Sequence, residues 1–525
     1  MQDSKKKTGS YYTPAYLADF VSKRVLSFFE GRKRLSILEP SVGDGAFIES
    51  LKSFKNVSIK LDAVDINDEE LKKAANRWNK KNANFNTVDF LQFNSGKRYS
   101  TVLGNPPYVK KNYLTDEQIE LSKEVHKKVN LSDSTSKNIW VTFLVKSIGL
   151  LSDNGVLAFV LPSELLQVQF AEEIREYLKS EFDRIEIFTF NDLMFECKGQ
   201  DTIVLFAYKK HFSKGEFFAN IDSQLTLKNE SFNLRKNDIL VESKVKWTHH
   251  FLSSEELTFL ENIKKQLKLV SEYSDSRPGI VTAANKFFII DKETEAKYNL
   301  ESYTKPIIQK GLFVNGSVVF SKKDFSDLEK AKRPTRLLQL NDGDEISESL
   351  KEYLEIGENL EIPDRYKCKS RNNWYVIPNI STKPNGLFFK RSHLYPKILK
   401  NTSNALVTDS AYKIEIKNGC NLNSFIFSFY NSLTLLFSET NGRYYGGGVL
   451  ELTPSEFKGL PLPYMSIDNK EFQSFTKKFE QKDKIEDILE QNDFKILNSS
   501  INLDIESLNR IKLIREKLLK KRIRS

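Results

Sequence analysis

Up to about residue 210, short apolar runs alternate with longer amphipathic stretches, and no other feature of the sequence narrows the possible folds as much. The apolar runs fall at 35–39, 60–65, 84–88, 101–103, 156–161, 184–189 and 202–208. Between them, 14–29, 69–79, 137–151 and 165–179 place apolar residues at helical spacing. A strand that feeds a helix returns to a parallel neighbour, so this order predicts a doubly wound, Rossmann-like α/β sheet of seven strands. Asp153-Asn154-Gly155 reads as the turn that feeds the fifth strand. Residues 109–136 are too long and too polar for an ordinary connection, which predicts a mobile functional insertion.

Between about 211 and 270 the rhythm is lost, and beyond it come short β-like runs rich in aromatic and basic residues at 286–290, 317–320, 374–377, 387–390 and 412–416. They predict a second, α+β domain. From about residue 470 the chain turns charged and helical, ending with Ile505, Leu508, Ile511, Ile514 and Leu518 at helical spacing. A chain of 525 residues exceeds what one core organises, and the expected division is 1–245, 246–470 and 471–525. Hydrophobic residues make up 39% and charged ones 29%, which excludes a disordered chain. With no apolar stretch of the roughly 18 residues that span a bilayer and no apolar leader, a cytoplasmic protein is expected. The three cysteines, Cys197, Cys368 and Cys420, are scattered, and His249-His250 lacks metal-ligand spacing, so neither disulfide nor metal is expected. A net charge of +10 favours a polyanionic partner.

Three strand ends carry the residue types of a ligand pocket. Residues 37–47, ILEPSVGDGAF, run from a strand through a glycine-bearing turn into a helix, which brings a ligand close to backbone N–H groups. The spacing is not Gly-x-Gly-x-x-Gly and no phosphate-binding lysine follows, so a nucleoside without phosphates fits better than a dinucleotide or triphosphate. Asp65 closes the second strand, where a carboxylate accepts from ribose hydroxyls or, alternatively, caps the next helix as Asn67 or Asp68 could. Asp89-Phe90 follows the third strand, offering an acceptor for an amino group and a ring to stack on a purine.

After the fourth strand stands Asn105-Pro106-Pro107-Tyr108. It could be only a rigid turn, since proline fixes φ and asparagine caps turns. Beside the pocket it gains a chemical reading: the Asn105 side-chain oxygen and the Pro106 carbonyl both accept from one planar amine, and Tyr108 stacks on the ring that bears it.

This motif resembles that of the amino-methyltransferases that use S-adenosylmethionine. The order Tyr12-Thr13-Pro14, Leu38-Glu39-Pro40, Asn105-Pro106-Pro107-Tyr108, then a large basic and aromatic segment, resembles the gamma group of adenine-N6 DNA methyltransferases, the TaqI-like enzymes of restriction-modification systems. The resemblance covers roughly the first 210 residues. It implies S-adenosylmethionine as cofactor, with Thr13, Pro14, Glu39, Pro40 and Gly43 around its methionine part, Asp65 and Ile66 at the ribose and base face, and Asp89 and Phe90 at its adenine. It implies that Asn105, Pro106 and Pro107 form the catalytic ledge and that Tyr108 and Phe195, with Phe188 and Phe190 close by, hold a flipped target base.

Residues 279–288 and 443–450 resemble segments of the target-recognition domains attached to such enzymes. The expected partner is double-stranded DNA, contacted by Lys110, Lys111, Arg371, Asn372, Lys390, Arg391 and Arg443, with Asn373 a further candidate. Ribosomal RNA or a protein glutamine as substrate, and a non-catalytic DNA-binding subunit, are the competing readings. The long segment after the catalytic region counts against the first two, and the intact motif with its acidic strand ends counts against the third. No Asp/Glu-x-Lys metal-binding set stands out, so the expectation is a monomeric modification enzyme whose cognate restriction endonuclease is a separate chain.

Overall fold

The computed structural model describes residues 12–54, 56–78, 82–191, 201–237, 246–314, 316–378, 380, 384–445 and 447–523. The chain forms two compact units, made chiefly of Met1–Leu257 and of Thr258–Ile523.

The first unit is built on β1 (Arg34–Glu39), β2 (Ser58–Asp65), β3 (Ala83–Thr87), β4 (Tyr99–Gly104), β5 (Leu151–Pro162), β6 (Arg184–Phe190), β7 (Thr202–Tyr208), β8 (Gly215–Ile221) and β9 (Arg235–Lys236). They lie in the order β3-β2-β1-β4-β5-β7-β6-β8-β9. β1 pairs in parallel with both β2 and β4, so the chain leaves β1 toward one side and later returns on the other. Loops diverge at such a reversal, and a crevice opens beyond the carboxyl ends of the strands.

The central strands read as unbroken apolar runs because both faces are covered. In β5, Leu157, Phe159 and Leu161 join one core with Trp140 and Phe143, whereas Val156, Ala158 and Val160 join the other with Phe20 and Val21. Alternation of side chains across the sheet sorts them in this way. Helix α1 (Ala15–Phe28) and α2 (Ala46–Lys52) cover one face, and α5 (Ile139–Leu150) covers the other; α3 (Asp68–Trp78) and α4 (Asp116–Lys127) come between α2 and α5 in the chain. Beneath the crevice, Asp62 on β2 accepts from Tyr99 Oη at 2.7 Å, Asn84 Nδ2 at 2.5 Å and Lys97 Nζ at 3.0 Å, tying β2 to β3 and β4.

Several expectations need correction. Asp153-Asn154-Gly155 is no turn but lies within β5. The sheet has nine strands and not seven, because β8 and β9 extend it beyond β6; the apolar run in β8 is short and β9 has two residues, so neither continues the sequence rhythm. The stretch 165–179 is not one helix: Val168 is extended, a regular helix α6 starts only at Glu172 (Glu172–Glu181), and Arg175 donates to the carbonyls of Leu165 and Val168 at 3.0 and 3.3 Å. The 109–136 segment is folded. Thr115 and Gln118 form a reciprocal capping box at the start of α4, and His126 is buried between Thr135 Oγ1 at 2.5 Å and Thr142 Oγ1 at 3.1 Å. Burial pushes the His126 imidazole down to about 4, so it sits there neutral.

In the second unit, Ser274–Pro278, Ala411–Ile416, Gly386–Phe389, Lys397–Asn401 and Val319–Phe320 form one sheet in that order, with a four-stranded and a three-stranded sheet beside it. The expected strand at 374–377 is absent; Trp374 packs instead on Phe287, centroids 5.5 Å apart. Residues 286–290 are mostly a helical turn, Asn285–Phe288, followed by the two-residue strand Ile289–Ile290. Helix Ser432–Asn441 is buried through most of its length and packs against the terminal helix Ile505–Ile523, where Arg522 donates to both oxygens of Glu439 at 2.7 Å. Among the described residues no helix is long and apolar enough to cross a membrane.

Candidate active site

The crevice at the β1/β4 reversal is a cavity of about 350 Å³. Its walls bring together residues from the ends of β1, β2, β3 and β4, the segment before α1, and the 109–136 segment.

Its floor is the turn after β1. The Val42 amide donates to the Val64 carbonyl at 3.1 Å, and the Gly43 amide donates to Asp65 Oδ2 at 2.8 Å. Asp65 Oδ1 accepts from the Asn67 amide at 2.8 Å. The helix cap that Asp65 could have supplied comes instead from Asn67, whose Oδ1 accepts from the Glu69 amide at 3.0 Å. Asp65 is therefore left as the clasp of the β1 turn, with its carboxylate at the cavity wall. Gly45 has φ +80°, and a Cβ there would lie 3.1 Å from that of Ala74, so the turn is closed to larger residues.

Past β3, Asp89 Oδ1 accepts from the Leu91 amide at 2.8 Å and Oδ2 accepts from Gln118 Nε2 at 2.7 Å. Phe90 lies beside it, its ring 4.8 Å from that of Phe143 on α5. Past β4, Asn105 is held at both ends of its amide. Nδ2 donates to Thr13 Oγ1 at 3.2 Å, and Oδ1 accepts from Tyr108 Oη at 2.9 Å, while Ser41 Oγ donates to the Asn105 carbonyl at 3.0 Å. Asn105 and Pro107 face the cavity; Pro106 is buried. Tyr108 is 7% exposed, packs in the α5-side core, and has its hydroxyl 3.2 Å from the Val160 carbonyl as well.

Among the described residues, the lining contains four carboxylates, Asp44, Asp65, Glu70 and Asp89, and no lysine, arginine or histidine. Behind it, Glu39 is fully buried and neither carboxylate oxygen has a hydrogen-bond partner. Burial pushes its carboxyl well above the usual range, and Asp65 and Asp44 push in the same direction. Such a site repels phosphate and suits an uncharged or cationic ligand.

Of the residues singled out from sequence, Thr13, Pro40, Gly43, Asp65, Ile66, Asp89, Phe90, Asn105 and Pro107 line this one cavity. Pro14 caps α1, and Glu39 lies behind the wall. Phe195 lies outside the described residues. Sequence reasoning missed Gln118 and Phe143, although the Thr115–Gln118 capping spacing and the apolar run of α5 were both visible.

The residues expected to contact DNA have the following surroundings within the protein. Lys110 is exposed and Lys111 half-buried directly after the ledge. Arg371 donates to the carbonyls of Trp374 at 3.0 Å and Thr282 at 2.9 Å. Lys390 pairs with Asp409 at 3.3 Å, Arg391 with Glu451 at 2.8 Å and Arg443 with Glu456 at 3.0 Å. Asn372 is exposed.

Residues 22–195 match the model of the Eco57I restriction-modification methylase family, and residues 244–497 match that of the C-terminal domain of type II methyltransferase M.Eco57I. The type II methyltransferase M.AccI of Acinetobacter calcoaceticus is 26% identical over 490 residues, covering 89% of this chain and 87% of its own. The modification methylase CviBIII of Paramecium bursaria Chlorella virus NC1A is 30% identical over 184 residues, 34% of this chain and 44% of its own. Among solved structures, the type IIL restriction-modification enzyme MmeI, in complex with DNA, shares the fold with a TM-score of 0.57 at 13% identity, over 96% of this chain and 75% of that one. The two family models, one on each compact unit, together with a relative aligned almost end to end, place the chain in the Eco57I family of restriction-modification methylases.

Proposed function

We propose that the protein transfers a methyl group from S-adenosylmethionine to the N6 amino group of an adenine in double-stranded DNA, and that the second unit selects the target sequence. One observation carries this reading: the Asn-Pro-Pro-Tyr ledge opens into a phosphate-hostile cavity at the sheet's reversal, with the Asn105 amide fixed at both ends. The residues fit the cofactor. The partnerless carboxylate of Glu39 and the acidic lining suit a cationic ligand, and Asp65 and Asp89 stand where a nucleoside's hydroxyls and amino group would meet acceptors. When bound, S-adenosylmethionine supplies a methyl group activated by its sulfonium.

Adenine N6 is a weak nucleophile because its lone pair is delocalised into the ring. Asn105 Oδ1 and the Pro106 carbonyl are proposed to accept its two hydrogens and draw the nitrogen toward a tetrahedral state. Thr13 and Tyr108 keep the amide from rotating, so the acceptors need no reorganisation as charge develops. The hydroxyl contact makes Tyr108 first a positioning residue, with its expected stacking on the base added to that. A base inside the duplex could not reach this ledge, so the adenine must leave the stack, at a cost of a few kcal/mol that stacking at about 1–3 kcal/mol per base offsets. In the related proteins M.AccI and CviBIII the names record methyltransferase and modification methylase, which supports methyl transfer as the reaction.

The test is incubation with radiolabelled S-adenosylmethionine and duplex DNA, followed by nucleoside analysis. Label in N6-methyl-2′-deoxyadenosine is expected; label confined to cytosine, RNA or protein would overturn the substrate.

A further inference from the structure

Helix α5, IWVTFLVKSIGL, is apolar around nearly its whole circumference, and Lys146 is its one charged residue. A helix of that kind is buried, and a cation within it needs acceptors. Lys146 Nζ donates to two successive backbone carbonyls, those of Phe90 and Leu91, both at 2.7 Å, and lies 5.1 Å from the centroid of the Phe90 ring. These carbonyls end the single turn that begins at Asp89, where the Gln92 and Phe93 amides donate to the Asp89 carbonyl at 2.9 and 3.1 Å. The turn is thus closed at its start by the Asp89 carboxylate on the Leu91 amide and at its end by the Lys146 ammonium.

We infer that Lys146 is a positioning residue for the adenine of the cofactor: it fixes the turn that presents Asp89 and Phe90 to the cavity, without touching the ligand itself. This rests on the reading that the cavity takes an adenosyl ligand. The alternative role, a general contribution to the core, would not couple to ligand binding or to the state of the amine. Burial lowers the Lys146 ammonium to about 8, with Asp89 on the turn acting to raise it and Lys128 at the end of α4 to lower it further. As pH rises through that value the ammonium becomes an amine, the two charge-assisted bonds weaken, and the turn loosens.

The experiment is calorimetric titration of wild type, K146M and K146R with S-adenosylhomocysteine, and with 5′-methylthioadenosine, which keeps the adenosine and lacks a titrating amine. K146M is expected to weaken binding on the order of tenfold, with KM for S-adenosylmethionine rising by more than kcat falls, and K146R to restore most of it. Wild-type affinity for methylthioadenosine should fall as pH passes about 8, and that of K146R should not. Equal affinities of wild type and K146M, or parallel pH profiles of wild type and K146R, would overturn the inference. The second comparison decides the matter even if K146M does not fold. Absence of binding to wild type would instead refute the adenosyl reading itself.

Discussion

Replacement of Arg371 separates a residue that grips DNA from one that holds a loop. Its guanidinium donates to Trp374 O at 3.0 Å and Thr282 O at 2.9 Å, approaches Val281 O at 3.5 Å, and lies 5.7 Å from the Phe288 ring centroid. Two good hydrogen bonds from a charged donor contribute about 1.5–3 kcal/mol each; because the side chain is half-buried, the lower end applies, giving about 3 kcal/mol for R371M. For a unit of this size, each kcal/mol shifts the melting temperature by about 2 °C, so a drop of roughly 6 °C in the second unit's transition is expected. A phosphate contact behaves otherwise: its loss leaves melting unchanged and lowers the slope of log K against log salt by about 0.9. Both quantities are measured on the same protein, by calorimetric melting and by DNA titration at several salt concentrations below the transition. Melting at the wild-type temperature together with a reduced salt slope would refute the loop-holding argument and return Arg371 to the DNA.

Three further outcomes are expected. N105A should lower kcat by roughly two to three orders of magnitude while DNA affinity changes little, because the amide acts on the amine and not on the duplex; wild-type turnover measured with labelled cofactor would refute the acceptor role. The buried Glu39 has its carboxyl raised in the folded state, so the cofactor-free protein binds more protons folded than unfolded, and its stability falls as pH rises above the unfolded carboxyl near 4.3. E39Q should flatten that decline in denaturant unfolding at a series of pH values, while weakening S-adenosylhomocysteine binding. Asp62 acts in the opposite sense: burial opposes its charge, but Tyr99, Asn84 and Lys97 hold its carboxyl below the usual range. Its stabilisation is present above the unfolded value and is lost as pH falls through the folded one, so D62N should make the acid limb of the same stability profile shallower, and an unchanged limb would exclude the network as its source.

The first unit was legible because its fold gathers residues by topology. Once the strand runs are placed, the ends of β1, β2, β3 and β4 must meet at one edge, so Gly43, Asp65, Phe90 and Asn105 converge without any knowledge of side-chain partners. What failed there was local: the short aromatic run of β8 carries no rhythm of its own, and Val168 breaks a helix whose periodicity continues through it. In the second unit the internal partners of the cations expected at DNA are not encoded in the local pattern. Arg371 reaches a carbonyl 89 residues away and Arg391 a carboxylate 60 away, distances over which no periodicity operates. Lys146 was visible as one charge in an apolar helix, but the sequence does not say that its acceptors are the carbonyls of Phe90 and Leu91.

Charge shows how two ligands of opposite character are kept apart on one chain. The protein carries a net +10, yet among the described residues its cavity is lined by four carboxylates and no cation, with the buried, partnerless Glu39 behind them. Net charge acts over long range and draws a polyanion to the surface at a rate that falls with salt. The cavity acts at contact distance, where a phosphate brought against desolvated carboxylates would be strongly repelled, whereas a cationic sulfonium or an uncharged base would not. On the proposed function, duplex DNA would enter the site only as a base rotated out of the stack, and the same acidity that refuses the phosphates would hold the methyl donor. Raising the ionic strength should then weaken DNA binding steeply while leaving S-adenosylhomocysteine affinity nearly unchanged. If both fell in parallel, the separation of the two electrostatic surfaces would be wrong.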